Sequence, residues 1–271
     1  MGVGVCMREL YGALTSKMKT YAFIPARYQS SRFPGKPLAM IAGKPMIQHT
    51  YERALACSEL SAVYVATDDD RILECVKGFG GNAIMTRPDH VSGTDRIAEA
   101  AQKIGVKDRD LVVNIQGDQP AFQPEVVSVM IEPLIADGSI PMGTLKCRIR
   151  DEKDVTNPNH VKVVTDNRGL ALYFSRCPIP FCRDANPGQV HFKHLGFYCF
   201  RMDFLLKFTA LPEGRLESLE KLEQLRALEN GYGISVPESS YDSIEVDVPE
   251  DVGAIEELLN GNPKSPFRIP Q

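Results

Sequence analysis

The chain has few of the features that mark a membrane protein, a secreted scaffold or a nucleic-acid binder. No apolar run in its 271 residues approaches the roughly 20 needed to cross a bilayer. Residues 1–19 lack the apolar core of a secretory signal, and Cys6 stands where a myristoylation site requires Ser or Thr. Met18 offers an alternative start, so residues 1–19 are expected to be an extension without function. The seven cysteines (Cys6, Cys57, Cys75, Cys147, Cys177, Cys182 and Cys199) form no CxxC pair. Most lie in apolar or periodic stretches, which argues against a disulfide framework or zinc ribbon and suits free thiols in a reducing cytoplasm. Cys177 and Cys182 flank Pro178 to Phe181, but no second pair completes four zinc ligands. A net charge of −4 gives no drive toward nucleic acid or acidic membranes, so an anion site must be a local cluster of Lys and Arg. With 43% hydrophobic and 24% charged residues the chain reads as soluble and globular, one domain over 20–260 with a loose tail at 261–271.

The expected cluster is present. An apolar run from Tyr21 to Ile24 ends at Pro25, and a polar loop follows before the next periodic segment near Pro45. The loop carries the guanidinium groups of Arg27 and Arg32, the Lys36 ammonium, the hydroxyls of Ser30 and Ser31, and flexible backbone at Gly35. Strand, loop, helix is the order in which open α/β sheets present ligand-binding loops, and this set of donors suits a polyanion such as a triphosphate. A Walker-A loop is excluded, because Ser30 occupies the position of its first glycine and Pro37 follows Lys36.

The rest of the chain alternates in the same way. Met46 to Cys57 has helical periodicity, Ala62 to Asp68 reads as a buried strand ending in acids, and Ile72 to Phe79 as a helix stopped by Gly80-Gly81. Ala83 to Thr86 is a short strand, and a helix capped by Ser92 or Thr94 runs on to about Ile104. Leu111 to Ile115 is apolar enough to be central in the sheet and leads directly into Gln116-Gly117-Asp118-Gln119. A carboxylate there is placed for a metal, although an ordinary Gly-Asp turn explains it too. Strands over Met142 to Ile149, Val161 to Val164 and Leu170 to Arg176, with a turn at Asp166 to Gly169, predict an antiparallel β-hairpin arm within residues 142–200. Leucines spaced from Leu216 to Leu228 predict one helix to Asn230, and Asp247 is expected at a strand end ahead of a helix opened by Pro249. The fold class is therefore α/β and Rossmann-like: a mostly parallel sheet flanked by helices, with an inserted hairpin arm.

Taken together, Arg27, Ser30, Ser31, Arg32, Phe33, Pro34, Gly35, Lys36 and Pro37 closely resemble the nucleotide loop of the sugar-nucleotide cytidylyltransferases. The resemblance continues, in the family's order, from about Tyr21 to Leu259. It implies that Arg27, Ser30, Arg32 and Lys36 hold CTP, with Arg27, Lys36 and Asp118 catalytic, and that Ser92, Gly93 and Thr94 line the pyrimidine pocket. It implies sugar-acid contacts from Arg87, Gln116, Arg176, His194, Glu223 and Gln224, Mg2+ on Asp118 and Asp247, and a homodimer through the hairpin arm. The chain departs from the usual family pattern, which has Glu, at Asp95 and Gln119, and it departs again at Asp242 to Glu245.

The implied reaction is CTP plus a 3-deoxy-octulosonate giving the CMP-sugar acid and pyrophosphate, in the cytoplasm and in supply of lipopolysaccharide synthesis. The chemistry accounts for the residue types. A sugar hydroxyl must approach the α-phosphorus against the repulsion of three phosphates and a carboxylate, so charge neutralisation and alignment dominate. Transfer to a sialic acid or to the 8-amino analogue of the octulosonate is the alternative within enzymes. A nucleotide-binding regulator without catalysis is the alternative outside them.

Overall fold

The computed structural model describes residues 18–29, 33–184, 190–242 and 244–259. The first strand, β1 (Thr20–Ala26), lies between β4 (Ala62–Thr67) and β6 (Leu111–Asn114), parallel to both. Between β1 and β4 come a small antiparallel pair, β2 (Met40–Ile41) and β3 (Lys44–Pro45), and the helix Met46–Leu55. Beyond β4, the helix Asp70–Gly78 leads to β5 (Ala83–Met85), which adds parallel to β4. The other half of the sheet contains β7 (Met142–Arg148), β8 (Lys162–Thr165), β9 (Ala171–Ser175), β10 (Phe192–Arg201) and β11 (Ile234–Ser235). Among the described residues the sheet order is β11-β7-β10-β6-β1-β4-β5, with the β8–β9 hairpin attached through β10.

Alternation along the central strands explains the layers. Ala22, Ile24 and Ala26 of β1 face one core with Leu111 and Val113 of β6, beneath the helices Met46–Leu55, Asp70–Gly78 and Glu125–Ala136. Phe23 and Val112 face the other, beneath the helices Gly93–Lys103 and Met202–Ala210. Strands buried on both faces need apolar residues at every position, which the runs Tyr21 to Ile24 and Leu111 to Val113 supply. The parallel register brings the carboxyl ends of β1, β4 and β6 to one edge, and their loops meet there.

The predicted hairpin is β8–β9. Its turn is held by Asp166, whose Oδ1 accepts from the backbone N–H groups of Arg168 (2.8 Å) and Leu170 (2.9 Å). Two expectations are corrected. The stretch Leu216 to Asn230 is not one helix but two, Arg215–Glu220 and Leu225–Glu229, broken at Lys221 with φ 53. Glu217 and Arg226 clip the break with a 2.8 Å bond, so Leu222 and Leu225 still reach the core while Glu223 and Gln224 turn inward. Asp247 does not end a strand either. The Val246 N–H bonds the Asp118 carbonyl (2.9 Å) and the Val246 carbonyl accepts from Lys36 Nζ (2.8 Å), so this segment spends its backbone groups on the site instead of on a ladder.

Candidate active site

Gly35 begins the construction. Its φ of 73° lies in the left-handed region that disfavours a side chain, and it launches the single 3-10 turn Lys36–Leu38. Pro37, at the start of that turn, needs no N–H partner, and the turn aims Lys36 at the end of β6. Lys36 Nζ donates to Asp118 Oδ2 at 2.7 Å and lies 3.9 Å from Asp247 Oδ1. One ammonium thus gathers two carboxylates that are far apart in sequence. Asp251, at the start of the helix Asp251–Leu259, accepts from the N–H groups of Asp247 (2.7 Å) and Val248 (3.0 Å) and fixes the second of them.

These groups open onto a cleft of about 340 Å³. Arg27, Lys36, Ser92, Gly93, Gln116, Asp118 and Asp247 line it, seven of the sequence-predicted site residues on one surface. At Gly93 a Cβ would stand 3.2 Å from the Pro25 ring, a tight contact that the ring would have to relieve by a few tenths of an ångström. Ser92 caps its helix in a reciprocal box with Asp95, its Oγ accepting from the Asp95 N–H at 3.1 Å. Asp95, in place of the usual Glu, still closes that box. Thr94 takes a different part: its hydroxyl donates to Glu223 Oε2 at 2.5 Å.

Glu223 and Gln224 form an inner polar wall. Burial raises the Glu223 pKa, opposed by its bonds from Thr94 and Ser92. Tyr198 donates its hydroxyl to Gln224 Oε1 at 3.0 Å. Buried side-chain atoms without a hydrogen-bond partner include Glu223 Oε1, Gln224 Nε2, Asn114 Oδ1 and Gln119 Oε1. Asn114 stands opposite Tyr198 in the sheet register, and Gln119 lies beside Gly196 on the same strand. Asn114, Gln119 and Gln224 thus bring buried polar atoms to one stretch of β10 that no hydrogen bond within the protein satisfies.

Six predicted residues do not line the cleft: Thr94, Glu223 and Gln224, described above, and Arg87, Arg176 and His194. Arg87 lies at the surface beside Asp89 (3.4 Å) and Glu99 (3.6 Å). Arg176 donates to the Glu220 carbonyl (2.7 Å) and the Pro158 carbonyl (2.9 Å) at the end of β9. His194 is buried, with Nε2 2.9 Å from Thr144 Oγ1 and its ring against Phe174 and Tyr198; burial pushes its pKa down to about 3 and keeps it neutral. Ser30 and Arg32 fall outside the described residues.

Two groups on the cleft wall carried no sequence signal. Arg96 is buried, donating to Thr86 Oγ1 at 2.7 Å and pairing with Asp68 at 3.1 Å. His90 is bonded to Glu99. Burial opposes charge on Glu99, but bonds from Lys103 and His90 outweigh it and bring its pKa to about 2. Arg27, His90 and Arg96 also line an adjoining cleft of about 290 Å³, so three cationic or ionisable groups form the shared wall.

Beyond Gln119 the acids continue. Gln119 Nε2 donates to Glu245 Oε1 at 3.2 Å. Glu245 presents its chain to solvent, yet protein crowds its carboxylate; that desolvation, with the charges of Asp118 and Asp247, raises its pKa. Among the described residues no group of three or more His, Cys, Asp and Glu side chains forms a ready metal cage. Asp118 and Asp247 are two hard oxygen donors at an open site, the donor type that Mg2+ takes alongside water and phosphate oxygens, so these residues fit that ion.

Comparison with known proteins identifies the chain's relatives. The profile of the family described as Cytidylyltransferase matches residues 21–240. A 3-deoxy-manno-octulosonate cytidylyltransferase of Syntrophus aciditrophicus (strain SB) is 55% identical over 243 residues, covering 90% of this chain and 98% of that protein. An 8-amino-3,8-dideoxy-manno-octulosonate cytidylyltransferase of Shewanella sediminis (strain HAW-EB3) is also 55% identical, over 247 residues, 89% of this chain and 99% of that one. The solved structure of a CMP:2-keto-3-deoxy-manno-octonic acid synthetase complexed with CTP superposes with a TM-score of 0.85 at 43% identity, covering 90% of this chain and 99% of that one. With the profile spanning most of its length and these relatives matched almost end to end, the chain belongs to the cytidylyltransferase family.

Proposed function

We propose that this protein is a 3-deoxy-manno-octulosonate cytidylyltransferase, which activates the sugar acid KDO with CTP for lipopolysaccharide biosynthesis. The observation that carries the reading is the meeting of Lys36, Asp118 and Asp247 on a cleft whose other walls are Arg27, Ser92, Gly93 and Gln116. A hydroxyl oxygen of the sugar acid forms a bond to the α-phosphorus of CTP, the bond from that phosphorus to the bridging oxygen breaks, and pyrophosphate departs with the electron pair. The hydroxyl proton leaves to solvent.

Arg27 and Lys36 hold the triphosphate by charge-assisted hydrogen bonds, and the family resemblance implies the same duty for Ser30 and Arg32. Ser92, Gly93 and Thr94 seat the base. Gln116, Glu223 and Gln224 orient the sugar hydroxyls, the last two with atoms that take part in no hydrogen bond within the protein. Asp118 and Asp247 would hold Mg2+, which supplies positive charge beside the reacting phosphate and lowers the pKa of the attacking hydroxyl. Lys36 keeps the two carboxylates together and donates toward the same phosphates. Arg87, Arg176 and His194 belong to the sugar side in this reading, and each would have to act from outside the cleft lining described above.

The enzyme is proposed to work in the cytoplasm as a homodimer. The hairpin region supports the second point, since Leu172 and Phe181 are 62% and 87% exposed and offer apolar surface to a second copy. Among the described residues no helix is long and apolar enough to cross a membrane. Pyrophosphate release on mixing with CTP, Mg2+ and KDO tests the assignment. Asp118→Ala and Asp247→Ala are each expected to lower turnover by about 10²- to 10³-fold; a near-normal rate in either removes that residue from the metal site.

A further inference from the structure

Arg71 stands where local forces disfavour it. It is the second residue of the helix Asp70–Gly78, whose N-terminus carries partial positive charge and repels a cation. Asp69, the N-cap of the same helix, holds it there: the carboxylate accepts from the Arg71 backbone N–H at 3.0 Å and from the guanidinium through Nε at 2.9 Å and Nη2 at 2.6 Å. Held so, the guanidinium lies over the Tyr28 ring, 3.3 Å from its centre. The Arg71 side chain is nonetheless 58% exposed. An exposed arginine gains little from one ion pair and gives up rotamer freedom to keep a single pose, so the pair with Asp69 does not by itself account for the pose.

Tyr28 follows Arg27 and closes the basic loop. Its carbonyl accepts from the Gly35 N–H at 2.9 Å, and its ring lies so near Gly35 that a Cβ there would stand 3.2 Å from Cε2, Cζ and the hydroxyl oxygen. Gly35 in turn starts the turn that aims Lys36 at Asp118. The helix Asp70–Gly78 also comes up against that turn. Contacts therefore run without a gap from Asp69 through Arg71 and Tyr28 to Gly35, and they end on Arg27 and Lys36, the two cations of this loop that line the first cleft. Asp69 and Tyr28 face the adjoining cleft, while Arg71 lines neither.

We propose that Arg71 is a positioning residue for nucleotide binding: stacked on Tyr28, it holds the basic loop in the shape that presents Arg27 and Lys36 to a triphosphate. The inference rests on the nucleotide reading of the cleft given above. Without the stacked cation the Tyr28 ring is free to leave Gly35, and the loop spends only part of its time in the binding shape. Apparent affinity then falls by that fraction, while the groups that meet the bound nucleotide stay the same. A cation over an aromatic face is worth a factor of about 2 to 5 at an exposed site and more where water is excluded, which predicts a loss of about three- to tenfold in affinity for CTP.

The experiment compares the wild-type protein with Arg71→Met, which keeps a long unbranched side chain and drops the charge. CTP is first titrated by its thermal stabilisation of the protein with no acceptor present, and KM and kcat are then measured with KDO. Arg71→Met is expected to weaken CTP about three- to tenfold by both measures, while kcat and the KM for the sugar acid stay within about twofold. Tyr28→Leu should behave alike, and the double variant should bind CTP no worse than the weaker single one, because the two side chains act as one contact. If Arg71→Met does not fold, Arg71→Gln, whose amide can still bond Asp69, is expected to show the same loss. Unchanged CTP affinity in the folded variant overturns the inference, even if its melting temperature drops; so do losses that multiply in the double variant. Wild-type protein that binds CTP but releases no pyrophosphate with KDO overturns the assigned reaction alone, and the titration still decides the role of Arg71. Wild-type protein that CTP does not stabilise overturns both.

Discussion

Lys36 and Asp118 are 82 positions apart and joined by a 2.7 Å ion pair, the link between the loop that follows β1 and the loop that follows β6. Both groups are only partly exposed, at 15% and 26%, so the pair is better shielded than a surface bridge. The same ammonium bonds the Val246 carbonyl at 2.8 Å. Three segments remote in sequence are therefore tied at one nitrogen.

That tie predicts the behaviour of Lys36→Met, which keeps most of the volume and removes the charge. The kcat/KM for CTP is expected to fall by about 10²- to 10³-fold. Lys36→Arg should rescue poorly, because a planar guanidinium cannot direct donors at Asp118 Oδ2 and the Val246 carbonyl as a compact ammonium does. Steady-state rates with varied CTP measure both; recovery by arginine to within a few-fold would mean that charge alone matters here.

Thr94 and Glu223 give a second prediction. Thr94 is buried, and its hydroxyl supplies a hydrogen bond to a buried carboxylate. Thr94→Val keeps the shape and removes the donor, at a loss of about 1–3 kcal/mol of stability from the unsatisfied group. The KM for the sugar acid should rise about tenfold while that for CTP changes less, and Thr94→Ser should restore both. A rise in the KM for CTP alone would place Thr94 on the nucleotide side only.

The loop, the central strands and the acid after β6 were legible because each is local: an apolar run of fixed length, then charged residues with nowhere else to go. The break inside Leu216 to Asn230 was not legible. Leucines at helical spacing fit one helix or two short ones equally well, and what separates them is the Glu217–Arg226 pair, a contact between side chains whose approach no periodicity records. His90 and Arg96 were missed for a related reason. An arginine in the first turns of a helix reads as solvated surface until Asp68 and Thr86, from other elements, are seen to enclose it. In the sequence Gln119 is only a departure from the family's usual Glu, and its partner Glu245 becomes visible when the fold joins positions 126 apart.

Burial of His194 predicts a pH effect on stability. Its folded pKa is about 3 against 6.5 for the free group, so between those values the unfolded chain binds more protons and acid favours unfolding. Above about 6.5 the residue contributes no slope; as pH falls from there toward 3, it removes up to about 1.4 kcal/mol per pH unit. Glu223 and Glu245, with raised pKa values, work in the opposite direction, so the difference between wild type and His194→Asn is the informative quantity. Urea midpoints measured at several pH values should converge for the two proteins as the solution is acidified. Parallel curves would show that the imidazole is protonated in the folded state.

Gly35 yields the last prediction. A side chain there meets two obstacles: the backbone must keep a φ of 73°, and the new Cβ would stand 3.2 Å from the Tyr28 ring. The first costs about 1–2 kcal/mol for an ordinary L residue. The second is relieved only if Tyr28 moves, and the Tyr28 carbonyl accepts the Gly35 N–H at 2.9 Å while Arg71 stacks on its ring. Gly35→Ala should therefore lower stability by about 1–2 kcal/mol and raise the KM for CTP through displacement of Lys36. Gly35→Asn, whose short polar side chain tolerates the left-handed region, should lose less stability and yet still crowd Tyr28. If the two variants lose equal stability, the clash with the ring outweighs the backbone strain; if alanine alone suffers, the strain is what holds the turn that aims Lys36.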